Sequence, residues 1–190
     1  MSVLPIVTYN DPVLREKTKE ISSNNDELQE LIQHMFDTMY NSNGVGLAAP
    51  QIGRSDRLFV MDADAVTEEI EEEEDLGPMV FINPEIVEKS PEKIKMEEGC
   101  LSIPELRDDV TRPERITVKY RDRNFEEKIL QATGWPARVI QHETDHLNGV
   151  LFIDYLSAFR KRIHKSLLSK IDEGTLETDY PLVPKKIQQI

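Results

Sequence analysis

Residues 141–149 read QHETDHLNG, and the spacing inside this stretch constrains the fold more than any other feature of the chain. In an α-helix, His142 and His146 stand one turn apart and project to the same side, with Glu143 next to the first of them. One metal ion can then reach both imidazoles at about 2.0–2.1 Å, and the carboxylate can accept a proton from a water on that ion. The spacing therefore asks for a helix turned inward, enclosed by other elements that complete a metal site. Val139, Ile140 and Leu147 supply its apolar flank, Gly134 to Pro136 its start and Gly149 its stop. Two imidazoles are an incomplete ligand set, so a third ligand has to come from elsewhere.

The residues alone leave that ligand open. The extended zinc-endopeptidase pattern H-E-x-x-H-x-x-G-x-x-H is matched through Gly149, but its last histidine position holds Phe152. Asp154 and Glu173 lie farther on without a supporting motif. Cys100 sits in EEGCLSIPE, where Gly99 permits an unusual backbone and a nearby metal would hold the thiol as thiolate. A lone cysteine is by default a small buried hydrophobe. As the only cysteine of the chain, Cys100 also excludes an intramolecular disulfide framework.

The rest of the pattern predicts an α+β fold: a single domain of mostly antiparallel strands around the central metal-binding helix, with a C-terminal helix. In NNDELQELIQHMFDTMYNSNG, Leu28, Leu31, Ile32, Met35, Phe36, Met39 and Tyr40 follow helical spacing behind an N-cap at Asn24 or Asn25. The loop NGVGLAAPQIG then feeds a strand at RLFVM. RITVKYRDR and FEEKILQA read as strands, and the Asn-Pro break in PMVFINPEIVEKS predicts two short strands there. The last helix is expected over roughly 156–171. With 190 residues, one core is the natural reading: a domain over 1–173, interrupted by an acidic insertion at about 62–75, and a polar tail over 174–190. Trp135 and the helical aromatics read as core. His34 and His164 read as surface or boundary residues without a ligand role.

A formal charge of −13 argues against specific DNA binding, although nine of the acids are concentrated in DADAVTEEIEEEED, read as a solvated loop. One segment inverts the sign: AFRKRIHKSLLSK is basic with no acid. No stretch is apolar enough for a membrane span, and the opening MSVLPIVTYNDPVLREK has no secretory signal pattern, so a cytoplasmic location is expected.

Taken together and in order, GVGLAAPQIG, EGCLSIP and QHETDHLNG resemble the three signature motifs of peptide deformylase, over about residues 3 to 170. The resemblance implies an enzyme of protein biosynthesis and N-terminal processing: a hydrolase that removes the formyl group from the formylmethionine of nascent peptides. It implies Cys100, His142 and His146 as metal ligands, with a water completing a tetrahedral site and giving hydroxide that attacks the formyl carbonyl. The implied metal is one divalent ion, Fe(II) in the cell, with Zn(II), Ni(II) or Co(II) as alternatives. Glu143 becomes the proton carrier, and the Gln51 side chain and Leu101 backbone N–H the oxyanion donors. Gly44, Val45, Gly46 and Gly99 are implied to line the peptide cleft, Arg107 to lie near the peptide, and Val139 with the stem of Arg138 to wall a methionine pocket beside His142. Weak ribosome association through the basic helix completes the expectation. An HExxH zinc endopeptidase is the alternative.

Overall fold

The apolar run at residues 58–61 forms a strand in which Leu58 and Val60 face one layer while Phe59 and Met61 face the other. This two-residue alternation divides the core of the computed structural model, which describes residues 2–64 and 76–183. The acidic insertion lies outside the described residues from 65 onward, as does the tail from 184. The strand, β3 (Leu58–Met61), belongs to an antiparallel sheet with β2 (Gly46–Ala48), β4 (Met79–Lys89), β7 (Ile116–Arg121) and β8 (Glu127–Ala132), in the order β2-β3-β4-β7-β8.

One sheet face packs on helix α1 (Asp26–Asn41) through Leu28, Ile32, Met35, Phe36 and Met39. Asn25 caps the helix by accepting from the Leu28 N–H, and Tyr40 departs from the expected stripe, its ring exposed and its hydroxyl donating to Asp62. The opposite face receives helix α2 (Gly134–Leu147), where Phe59, Phe81 and Val118 meet Val139 and Ile140. Residues 136–144 of α2 are all buried, because the sheet covers one side and a second layer the other. Trp135, at the helix start, is half-buried and so not fully core.

That second layer is an antiparallel hairpin, β5 (Lys93–Cys100) and β6 (Ile103–Pro113), which the sequence reading did not assign as strands. The Asn-Pro break does not split the strand: β4 is continuous, with Asn83 at φ +51 and a register shift between Ile82 and Glu85, so the chain bends past Pro84 without ending the ladder. The last helix is two, α3 (Ala158–Ile163) and α4 (Lys165–Glu173), meeting at His164. His164 is more than a boundary residue, since it and Arg160 both bond the buried Asp108 of β6 and so anchor the helix pair. Within the polar tail, β9 (Leu182–Val183) pairs in parallel with β1 (Ile6–Val7) near the N-terminus.

Gly149 ends α2 at φ +75, and a Cβ there would stand 2.6 Å from the carbonyl oxygen of Arg15. Gly149→Ala should therefore cost about 1–3 kcal/mol, read as a lower urea midpoint at unchanged slope. An unchanged midpoint would show that this junction is not constrained.

Candidate metal centre

The two layers around α2 bring three soft donors together. Cys100 ends β5, and its Sγ lies 3.3 Å from His146 Nε2. His142 and His146 present their rings edge to face with centroids 4.9 Å apart. One ligand atom from each of Cys100, His142 and His146 falls within 4.8 Å of the others, and among the described residues these form the one such His, Cys and carboxylate group. For a tetrahedral ion with metal–nitrogen and metal–sulfur bonds near 2.0 and 2.3 Å, the sulfur–nitrogen separation is about 3.5 Å, so the arrangement fits a bound ion. The downstream acids weighed as ligands are occupied elsewhere: Asp154 pairs with Arg15 and Glu173 accepts from Ser169.

The strand period sets what supports these donors. Glu98 lies two residues before Cys100 on β5 and so shares its face. Its buried carboxylate meets His142 Nδ1 at 2.9 Å, which leaves Nε2 as the ligating nitrogen. The same carboxylate accepts from Arg112 at 2.6 and 3.0 Å and from Arg138 at 2.7 Å. Burial disfavours its charge, but the hydrogen bonds from His142 and Arg112 outweigh that and hold Glu98 well below the usual carboxylate range. Arg112 is fixed in turn by Asp145 and lies over the Tyr155 ring, whose hydroxyl also donates to Asp145. Removing the Glu98 charge while keeping its shape should loosen His142, so Glu98→Gln is expected to weaken metal affinity roughly 10–100-fold. Competition with a chelator measures this, and wild-type affinity would exclude the supporting role.

Glu143 faces β2. It is buried, its Oε2 has no hydrogen-bond partner among the described residues, and desolvation raises its pKa to about 7 against the opposing pull of His142. A Cβ on Gly46 would lie 2.5 Å from Glu143 Oε1, so only glycine leaves room for the carboxylate. Gln51 accepts from the Ala48 N–H through Oε1, which turns Nε2 toward Cys100 Sγ at 3.5 Å. Leu101 and Ser102 form the turn between β5 and β6, and the Leu101 side chain fills the space beside Gly44.

Of the peptide-cleft residues, Gly44 and Val45 are partly buried on the segment leading into β2, while Gly99 and the exposed Arg107 are register partners across the hairpin. Arg138 and Val139 are both buried in this structure. The Arg138 guanidinium is held by Glu98, Val110 O and Ile94 O. His34 lies at the boundary near Glu30. Glu98, Arg112, Asp145 and Tyr155 were missed from the sequence. The available signal was the pairing of Glu98 with Cys100 at a strand's two-residue spacing, but it is visible only once β5 is recognised as a strand.

A family model described as polypeptide deformylase matches residues 3–162. A peptide deformylase of Salinibacter ruber is 56% identical over 186 residues, covering 96% of this chain and 95% of the relative. One of Christiangramia forsetii is 48% identical over 186 residues, with 95% of each chain covered. Among solved structures, a peptide deformylase from Ehrlichia chaffeensis superimposes with a TM-score of 0.83 at 44% identity, covering 93% of this chain and all of the other.

Proposed function

The chain belongs to the polypeptide deformylase family, and on that premise we propose that it removes the formyl group from N-terminal formylmethionine by hydrolysis at a metal centre made by Cys100, His142 and His146. The observation that carries the reading is the convergence of one thiol and two imidazoles beside Glu143, a buried carboxylate with an unpartnered oxygen. A divalent ion in this donor set supplies a Lewis acid that makes a bound water acidic near neutral pH. Two imidazoles and a thiolate suit iron or zinc better than magnesium or calcium. Fe(II) is the proposed cellular ion, with Zn(II), Ni(II) or Co(II) as substitutes.

The protein groups divide the remaining work. Glu143 takes a proton from the attacking water and delivers it to the peptide nitrogen as the formyl C–N bond breaks, giving formate and a free amine. Gln51 Nε2 and the Leu101 N–H donate to the oxygen that becomes negative at the formyl carbon, each contribution being about 3–4 kcal/mol for a preorganised donor. The backbone at Gly44 to Gly46 and at Gly99 accepts the peptide as an added strand, with Arg107 at the rim. Val139 and the stem of Arg138 are the proposed walls of the pocket for the methionine side chain, and the Arg138 guanidinium also fixes Glu98. No helix of the described residues is long and apolar enough to cross a membrane. The exposed Lys161, Arg162 and Lys165 of the last two helices form the surface proposed to meet the ribosome weakly, while Arg160 is tied to Asp108.

The test is formate release from formyl-Met-Ala-Ser by protein purified without oxygen, beside a blocked peptide with internal bonds. Deformylation with the blocked peptide intact is expected. Cleavage of internal bonds without formate release would reverse the assignment in favour of an endopeptidase.

A further inference from the structure

The segment after α4 returns across the molecule and passes the turn that carries Leu101. Tyr180 packs against the α1 side of the core, and its hydroxyl donates to the Leu101 carbonyl at 2.8 Å. The segment is secured on either side of this contact. The Ile6 N–H donates to Pro181 O at 2.9 Å, Leu182 and Val183 pair with Ile6 and Val7, and the Thr178 hydroxyl donates to the carbonyl of Tyr180 itself at 2.8 Å.

The turn is held at two successive peptide units. Tyr180 fixes the carbonyl of Leu101, and the Tyr9 N–H fixes that of Ser102 at 2.9 Å. Peptide units are planar, so each anchored carbonyl removes one of the few rotations open to a two-residue turn. The pairing of Cys100 with Ile103 closes the turn from its other end, and the Leu101 side chain is wedged against Gly44. The Leu101 N–H belongs to the preceding Cys100–Leu101 peptide unit, which joins this anchored pair at the Leu101 Cα, so its orientation depends on how firmly the following unit is held.

We propose that residues 174–183 act as a strap whose Tyr180 hydroxyl fixes the Leu101–Ser102 peptide and, through the shared Leu101 Cα, the adjoining Leu101 N–H, making Tyr180 a positioning residue for the oxyanion donor. The inference rests on the role given above to the Leu101 N–H and adds the terminal segment as its support. Tyr180 reaches the site through its hydroxyl bond to the turn.

Tyr180→Phe deletes the hydroxyl and keeps the ring that packs in the core. In full-length, zinc-loaded protein, the amide signal of Leu101 in a ¹H–¹⁵N spectrum should shift. The kcat on formyl-Met-Ala-Ser should fall about five- to tenfold, less than the roughly 10²–10³ for deleting a donor outright, with KM and metal content nearly unchanged. A purely structural tyrosine would lower the melting temperature and leave kcat intact well below it. An unmoved Leu101 signal, whatever the rate, would overturn the strap. A shifted signal with wild-type kcat would overturn the positioning role of Tyr180 and leave the role given to the Leu101 N–H untouched.

Discussion

Glu143→Gln should reduce turnover by about 10²–10⁴-fold while leaving the metal in place, the range that a positioned proton carrier contributes. The geometry separates this residue from the ligands. His142 and His146 meet Cys100, whereas Glu143 projects toward β2 with one oxygen unpartnered. Burial pushes its pKa upward, and a cation held by the neighbouring ligands would draw it back down, so the group can both accept and return a proton. Glutamine preserves shape and removes basicity. The substitution also takes a desolvated carboxyl out of the interior, so the fold should be as stable as the parent or more so. Metal content, thermal melting and kcat/KM on formyl-Met-Ala-Ser are the measurements. Activity within tenfold of wild type in a fully loaded variant would remove Glu143 from the mechanism.

What the sequence disclosed and what it concealed follow from the same physics. Helix α2 was legible because a ligand pair at i and i+4 is meaningful only on a helix, and α1 because its cap and stripe agree. The hairpin β5–β6 was concealed because several of its inward positions are charged, interleaved with apolar Leu106 and Val110. Glu98, Asp108 and Arg112 occupy places where an alternating strand normally shows apolar side chains, and each is balanced by a partner distant in sequence. The charges that hide the strand are also the ones that hold His142 and anchor the last helices, so the blind spot coincided with the support of the site. Pairing of β9 with β1 had no local signature at all, since it joins residues near opposite ends of the chain. The division of the C-terminal helix at His164 depended on Asp108 in the same way.

Cys100→Ala tests the ligand set, and its expected effect on metal binding exceeds the roughly 10–100-fold cost of losing an outer partner such as Glu98. Alanine deletes the one sulfur donor and leaves two imidazoles on a single helix, a pair with no third protein ligand within reach among the described residues. The thiol is partly buried at the end of β5 and packs against the cluster around Ile103 and Phe152, so truncation should cost about 1 kcal/mol of stability and the fold should survive. Cys100→Ser separates packing from ligation: it restores nearly the same shape but replaces a soft thiolate by a hydroxyl that binds iron or zinc poorly. Both variants should therefore lose the metal during dialysis against a weak chelator under which the parent stays loaded, and both should lose deformylation with it. Adding excess zinc should restore little activity, because an ion held by His142 and His146 alone would not be fixed relative to Glu143 and Gln51. If the alanine variant kept one metal per chain and full turnover, Cys100 would not be a ligand, and the reading of this site as a deformylase centre would fall with it.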